Sequence, residues 1–376
     1  MNKKIFIIAG EASGDAHSGA LISKLKEIYP NIDVSGIGGN ELKSQGVNIL
    51  YSYSEVNYIG FTAVIRNLPA IKKRLSQAVD YVKELNPDLI ILVDFPGFNL
   101  KFAEMVRKFY NGKIVYYISP QLWAWHKDRV KKIRTLVDEM LVVFPFEVDF
   151  YAKEGVEAKF VGHPLVEKIN TFLSSNTPRP KKNKLITLLP GSRKEEIKRI
   201  LPALLKASQK LKEEFNAQIN IVIPPGIDEG FYTKMLNGYD VQMIKDNDGK
   251  EIYYNTILNS DIVFTKAGTP TMECALIGTP FCVVYKAGSI NYLIGKNMIK
   301  VDYIAMPNIL MNREIVKEFI QAEMNTENLY SEGKRILTNV DYRQQMVNNF
   351  REIKSILTDA SASETAANIV NSLLKN

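Results

Sequence analysis

Leu89-Ile90-Ile91-Leu92-Val93 is a run of five apolar residues with Asn86-Pro87 before it and Pro96-Gly97 after it. A short run that is apolar on both faces and closed at each end by turn formers predicts a strand buried on both sides, as in a parallel sheet covered by helices. The strand ends at Asp94. In open α/β sheets the loops leaving the carboxyl ends of the strands form the ligand crevice, so Asp94 is expected to face a pocket. The plainer alternative is that Asp94 only opens a turn, since Asp and Pro-Gly are turn formers.

The rest of the chain repeats this unit. A strand at Ile5 to Ala9 runs into Gly10-Glu11-Ala12-Ser13-Gly14-Asp15 and then a helical pattern with Leu21, Ile22, Leu25 and Ile28 on one face. The turn has neither the G-x-G-x-x-G spacing of dinucleotide sites nor the Lys-Ser/Thr pair of a P-loop. Strands follow at Asp33 to Ile37, Ile114 to Ile118 and Met140 to Phe144, with a helix from Leu68 to Glu84 between them. Ser174 to Asn183 is polar, carries Pro178 and Pro180, and predicts a linker. Beyond it the alternation restarts with strands at Leu185 to Leu189, Ile219 to Ile223 and Ile262 to Thr265. The length of 376 residues exceeds what one core usually serves. The expected architecture is therefore α/β with two Rossmann-like domains, residues 1–173 and 184–340, joined by 174–183. After Tyr342 strand signals stop, and residues 341–376 are expected to be helices that return to the first domain, of this copy or a neighbour's. Ser361 to Glu364 fits a capping box, and Ala362, Ala366, Ile369, Val370 and Leu373 form the apolar face of the closing helix.

Composition narrows the class. The chain has 46% hydrophobic and 24% charged residues and no apolar run long enough to span a bilayer. Its start has the basic and apolar parts of a leader, yet the apolar run is short and stops at Gly10-Glu11, so it reads as the first strand. Cys274 and Cys282 fall in a segment that reads as buried, which supports neither a disulfide framework nor a zinc site and fits a reducing cytoplasm. His17, His126 and His163 lack metal-ligand spacing. The net charge of +7 favours an anionic partner.

Two strand-to-helix junctions suit phosphate. Leu189-Pro190-Gly191-Ser192-Arg193 places Ser192 as the expected N-cap, with Glu195 three residues on and Arg193 able to make a bidentate contact. In Thr265-Lys266-Ala267-Gly268-Thr269-Pro270, Thr269 suits an N-cap and Pro270 the first helical position, while Glu273, one turn in, suits ribose hydroxyls. Two such helix starts in one domain suit a nucleotide diphosphate. The alternative, an exposed Arg on an ordinary helix, stays open. Asp246-Asn247-Asp248 matches a metal-holding motif of some sugar transferases, but Lys-Asp-Asn-Asp-Gly-Lys reads as a solvated turn, so no metal is expected. Trp123 and Trp125 share one loop, as core plugs or as a wall that stacks on a sugar or base. The five cations between His126 and Arg134 read as a solvated face. Ile59, Phe61, Val64, Ile65 and Leu68, beside Arg66, Lys72, Lys73 and Arg74, suit either a bilayer surface or the protein's own core.

Taken together, Gly10 to Asp15, Asp94-Phe95-Pro96-Gly97-Phe98-Asn99, Ser119 to Trp125, Pro145-Phe146-Glu147, Phe160 to Pro164, Leu189 to Arg193, Gly268 to Glu273, and Pro307-Asn308 with Glu318 to Gln321 resemble the lipid-A-disaccharide synthase family nearly end to end. These are inverting glycosyltransferases of the GT-B type, with two Rossmann-like domains facing each other across a cleft. The resemblance implies transfer of 2,3-diacylglucosamine from UDP to 2,3-diacylglucosamine 1-phosphate, giving a β-1,6-linked disaccharide and UDP, without a cofactor or metal. It implies Asp94 as the general base and Arg193 as important for activity. It places Asn308 and Gln321 on the nucleotide-sugar side, which with the two junctions is expected to comprise Gly191, Ser192, Arg193, Gly268, Thr269, Glu273, Asn308 and Gln321; the expected acceptor side is Glu11, Ser13, Asp15, Asn99, Gln121 and Trp123. The expected partners are the two lipid substrates and an anionic membrane surface on the cytoplasmic face, with no nucleic acid and with a homodimer through the C-terminal helices open. Two positions depart from the family's pattern: Ala63 stands where a Glu is usual, and Ala267 where a Ser usually precedes Gly-Thr. A UDP-sugar 2-epimerase of the same fold and a non-catalytic nucleotide-sugar binder are the competing functions.

Overall fold

A computed structural model describes residues 2–56, 66–123, 129–245, 250–288, 302–358 and 360–375. Ile59, Phe61, Ala63, Val64, Ile65, Trp125, His126, Lys127 and Asp246 to Asp248 lie outside the described residues. Contacts divide the chain into one unit of Met1–Glu167 with Leu357–Asn376 and a second of Lys168–Ile356.

In the first unit the chain runs β1 (Lys4–Ala9), α1 (Ala12–Ile28), β2 (Asp33–Gly38), α2 (Asn40–Ser44), β3 (Asn48–Ser52), α3 (Leu68–Leu85), β4 (Leu89–Val93), α4 (Pro96–Val106), β5 (Lys113–Tyr117), α5 (Val130–Leu136), β6 (Glu139–Val142), α6 (Pro145–Lys153) and β7 (Ala158–Phe160), and α7 (Pro164–Ser175) then crosses into the second unit. The strands pair in parallel in the order β3-β2-β1-β4-β5-β6-β7. Every residue of β4 is 0% exposed, as a central strand covered on both faces requires. The strand order reverses between β1 and β4, whose ends lie side by side with Ala9 paired to Val93. The Gly10 loop and Asp94 therefore leave the sheet at its switch point, where the crevice of such a sheet opens.

The second unit repeats the plan with β8 (Leu185–Leu189), α8 (Lys194–Phe215), β9 (Gln218–Ile223), α9 (Glu229–Leu236), β10 (Gln242–Lys245), α10 (Glu251–Leu258), β11 (Ile262–Lys266), α11 (Thr269–Ile277), β12 (Phe281–Tyr285), α12 (Met306–Met311), β13 (Glu318–Ile320), α13 (Thr326–Thr338) and α14 (Val340–Ile356). Its parallel order is β10-β9-β8-β11-β12-β13, so the reversal falls between β8 and β11. Both phosphate-suited junctions leave the sheet at that reversal.

The chain passes from the first unit to the second at Glu167, ahead of the polar stretch 174–183, and α14 stays with α11 and α13, so the return begins at Leu357. The closing helix α15 (Ala362–Lys375) packs on α1 and reaches β5. Its buried stripe is Ala362, Ser363, Ala366, Ala367, Val370 and Leu374, turned slightly from the expected face because Ile369 and Leu373 are half-buried at its edge. Ser361 caps it, accepting from the Glu364 amide at 3.2 Å and donating to Glu167 at 2.9 Å.

Candidate active site

In the first unit the candidate site centres on a strained turn. Asp94 and Phe95 both lie in the left-handed region, at φ 43° and 47°. Two consecutive L-residues there hold only if the surroundings over-determine them. The constraints are visible. The Asp94 amide donates to Tyr117 O at 3.2 Å, which extends the β4-β5 ladder by one residue. Its carbonyl accepts from Asn99 Nδ2 at 2.7 Å and from the Tyr116 hydroxyl. Asn99 Nδ2 also reaches Val93 O at 3.2 Å. On the opposite side Phe95 lies against Gly10, where a Cβ would come within 2.1 Å of its ring, so no larger residue fits there.

This turn presents the Asp94 carboxyl beside Glu11. Burial, then the Glu11 charge, push its pKa up to about 7 against an opposing hydrogen bond from the Phe95 amide. A carboxyl of that strength takes a proton from a hydroxyl group efficiently near neutral pH. Glu11 also accepts from Ser13 Oγ, so the first loop brings both polar groups to the rim of the same crevice.

The other expected acceptor-side residues have protein partners of their own. Asp15 is 3% exposed, and its carboxylate accepts from the amides of Gly39 at 2.7 Å, Glu41 at 2.9 Å and Leu42 at 3.3 Å. It caps the start of α2. Asn99 is 0% exposed and holds the Asp94 turn from beneath. Gln121 is exposed and Trp123 half-buried. Trp123 is fixed by its Nε1 donating to Glu147 at 3.2 Å and by its ring meeting Phe146 edge-on at 5.2 Å. Glu147 is 1% exposed, and burial pushes its carboxyl up to about 7 against a hydrogen bond from the Phe144 amide. The sequence reading gave Glu147 no role; its place in Pro145-Phe146-Glu147, one turn into α6, was the available signal. His163 accepts from the Leu165 amide at 3.1 Å, and desolvation followed by His17 lowers its pKa to about 3, so it is neutral.

In the second unit Thr265 of β11 pairs with Leu189 of β8, which sets the two junctions next to each other. Each helix begins off the expected register. The N-cap of α8 is Arg193, not Ser192, and Ser192 is exposed in the loop. The N-cap of α11 is Gly268 at φ 144°, which puts Thr269 at the first helical position instead of at the cap. In both cases a glycine in a left-handed or extended turn, Gly191 at φ 121° or Gly268, overrides the cap preference of Ser and Thr. The Arg193 side chain is 61% exposed, with Nη1 3.8 Å from Glu196 Oε1. Lys266 Nζ, at the end of β11, lies 3.2 Å from that same oxygen. Glu196 Oε2 is buried without a hydrogen-bond partner among the described residues. Lys266 and Glu196 were not among the expected site residues.

Two expected nucleotide contacts are internal. Glu273 is 1% exposed and accepts from Lys250 Nζ at 2.6 Å, Tyr253 at 2.8 Å and Tyr254 at 3.2 Å. These contacts tie α11 to α10 through a buried carboxylate. Asn308 is 0% exposed; it donates to Val316 O and Glu318 Oε1 and accepts from the amides of Ile315 and Val316, tying α12 to the approach of β13. Gln321, half-buried at φ 55° just past β13, donates to Ala287 O at 3.3 Å. Among the described residues no group of three or more His, Cys, Asp or Glu is placed to hold a metal.

Comparison with known proteins identifies the family and the fold. The family model described as lipid-A-disaccharide synthetase matches residues 5–370. A lipid-A-disaccharide synthase of Nitrosococcus oceani is 37% identical over 99% of this chain and 96% of that protein. One of Geobacter sulfurreducens is 34% identical over 99% and 97%. Among solved structures, the glycotransferase of kitacinnamycin superposes with a TM-score of 0.65 at 12% identity, over 99% of both chains. A UDP-GlcNAc 2-epimerase from Neisseria meningitidis superposes with a TM-score of 0.60 at 13% identity, also over 99% of both. At such identities the structures share the fold alone, and the sequence relationship decides: the chain belongs to the lipid-A-disaccharide synthetase family.

Proposed function

We propose that the chain transfers 2,3-diacylglucosamine from its UDP carrier to 2,3-diacylglucosamine 1-phosphate with inversion, forming the β-1,6-linked disaccharide 1-phosphate and UDP. The observation that carries the mechanism is the Asp94 carboxyl, held in a left-handed turn at the first switch point with a pKa near 7. Asp94 takes the proton of the acceptor 6-hydroxyl. That oxygen attacks the anomeric carbon from the face opposite UDP, and the bond from that carbon to the β-phosphate oxygen breaks. The electron pair leaves with UDP, whose diphosphate is stabilised by Arg193 and by the amide groups opening α8 and α11. Glu11, Ser13, Gln121 and Trp123 line the acceptor side, and Gly191, Ser192, Gly268, Thr269 and Gln321 the donor side. The test is incubation of the protein with both lipid substrates. UDP and disaccharide formed in equal amounts support the assignment; a protein that binds UDP but never turns over is instead a nucleotide-sugar binder.

Peripheral attachment to an anionic bilayer on the cytoplasmic face belongs to the same proposal. Among the described residues no helix is long and apolar enough to cross a membrane. The start of α3 leaves Leu68 43% exposed beside exposed Arg66, Lys72 and Lys73, as an interfacial segment requires. Arg74 is instead engaged by Glu55 and lies 5.1 Å over the Tyr51 ring. Vesicles of anionic lipid should float the protein at low salt and lose it at high salt. A homodimer through the C-terminal helices belongs to the same proposal, and sedimentation across a range of concentrations tests it.

A further inference from the structure

The second switch point carries an arrangement that a purely structural ion pair does not explain. One oxygen of Glu196 faces two cations from different strand ends, Lys266 at 3.2 Å and Arg193 at 3.8 Å. Its other oxygen is buried and unbonded among the described residues. That oxygen lies back over the β8 loop, where a Cβ on Gly191 would come within 2.9 Å of it. A buried carboxylate oxygen without a donor carries a desolvation cost that a partly exposed ion pair does not return in full. The resting arrangement is thus poorly compensated and gains from any ligand that brings more anionic oxygens to the same cations.

We propose that Lys266 is a diphosphate-binding residue and that Glu196 is a resident anion which occupies its cation, together with Arg193, until the nucleotide arrives. On binding, Lys266 and Arg193 pass from Glu196 to the diphosphate oxygens, and the carboxylate turns away from the Gly191 loop. Lys266 leaves the end of β11, the strand paired with β8, and reaches the first turn of α8, so the diphosphate is gripped from two strand ends and not from one helix terminus alone. This rests on the assignment of the second unit to the nucleotide sugar.

Calorimetry with UDP, inorganic pyrophosphate and uridine tests it. Lys266→Met should weaken UDP and pyrophosphate by about 10- to 100-fold, the value of one charge-assisted contact, and leave uridine unchanged. Lys266→Arg should restore most of the loss. Glu196→Gln should bind UDP at least as tightly as the unsubstituted protein, because a competing anion is gone. Unfolding temperatures of the variants confirm that each is folded, and a folded Lys266→Arg keeps the comparison decisive if Lys266→Met is not. If the unsubstituted protein binds UDP and Lys266→Met binds it equally well, Lys266 is no ligand and the inference fails alone. Tenfold weaker UDP binding by Glu196→Gln would overturn the resident-anion role. Failure of the unsubstituted protein to bind UDP would remove the nucleotide-sugar assignment itself.

Discussion

The side-chain amide of Asn99 donates to the main-chain carbonyl of Asp94 at 2.7 Å, while the Tyr116 hydroxyl donates to the same carbonyl from β5. A buried asparagine and a buried tyrosine thus converge on one backbone oxygen, and what they hold is the aim of the Asp94 carboxyl, the proposed base. Asn99→Ala leaves the carbonyls of Val93 and Asp94 short of a donor and should cost about 1–3 kcal/mol of stability. Tyr116→Phe removes one donor without opening a cavity and should cost less. Both should lower kcat while UDP affinity stays put, since neither touches the donor side. Urea unfolding beside kcat and UDP titration checks this; full kcat in a folded Tyr116→Phe would show that the turn holds without it.

The pH dependence follows from Asp94, whose pKa rises from 3.8 to about 7 on folding. A carboxyl with a raised folded pKa keeps its proton longer in the native state than in the unfolded chain. Its contribution to stability therefore falls as pH rises from about 4 to about 7 and is flat above that. Activity moves the opposite way, because the base must be ionised. The acid limb of kcat/KM should climb about tenfold per pH unit and level near pH 7. Glu11→Gln removes the neighbouring charge and should shift that limb to lower pH; an unshifted limb would mean that Glu11 does not face Asp94 in the working enzyme.

Much of this frame is legible in the sequence. Five apolar residues closed by turn formers define β4, and similar runs give β1, β5, β8, β9 and β11, because a strand buried on both faces has little freedom of composition. Edge strands were missed: β3, with exposed or half-buried residues around Tyr51, and β10 carry no such run. β12 has one, Phe281 to Val284, and was simply passed over. Asp94, Arg193 and the two junctions follow from position at strand ends. The partners of Asp15, Glu273 and Asn308 do not, because each is set by segments 7 to 27 residues away whose approach only the fold creates. Tyr116 escaped notice for a related reason: within an apolar strand a tyrosine reads as core until its hydroxyl is seen to reach Asp94.

The docking of α15 makes a stability prediction. Val370 is 0% exposed in the stripe that meets α1. Val370→Asp buries an unpaired charge and should cost about 3 kcal/mol or more, or release the helix. Limited proteolysis under native conditions should then clip residues beyond Leu357 in the variant and spare them in the original. Rapid clipping of the original with no loss of thermal stability would refute the docking.

In the proposed mechanism, cations and helix N-termini at the second switch point supply the stabilisation that a divalent metal can give a leaving diphosphate. Turnover should accordingly survive EDTA. Complete loss with EDTA and rescue by magnesium would require a metal site that Asp246-Asn247-Asp248, outside the described residues, is the first place to seek.

The most direct test of the whole account is kcat for Asp94→Asn. Asparagine tolerates the left-handed backbone of this position and keeps its shape, so only the proton acceptor is lost. General-base removal predicts a fall of about 10²- to 10⁴-fold in kcat, with UDP bound as before. A kcat within a few-fold of the original would contradict the account, leaving Asp94 as a turn residue and moving the search for the base to Glu11.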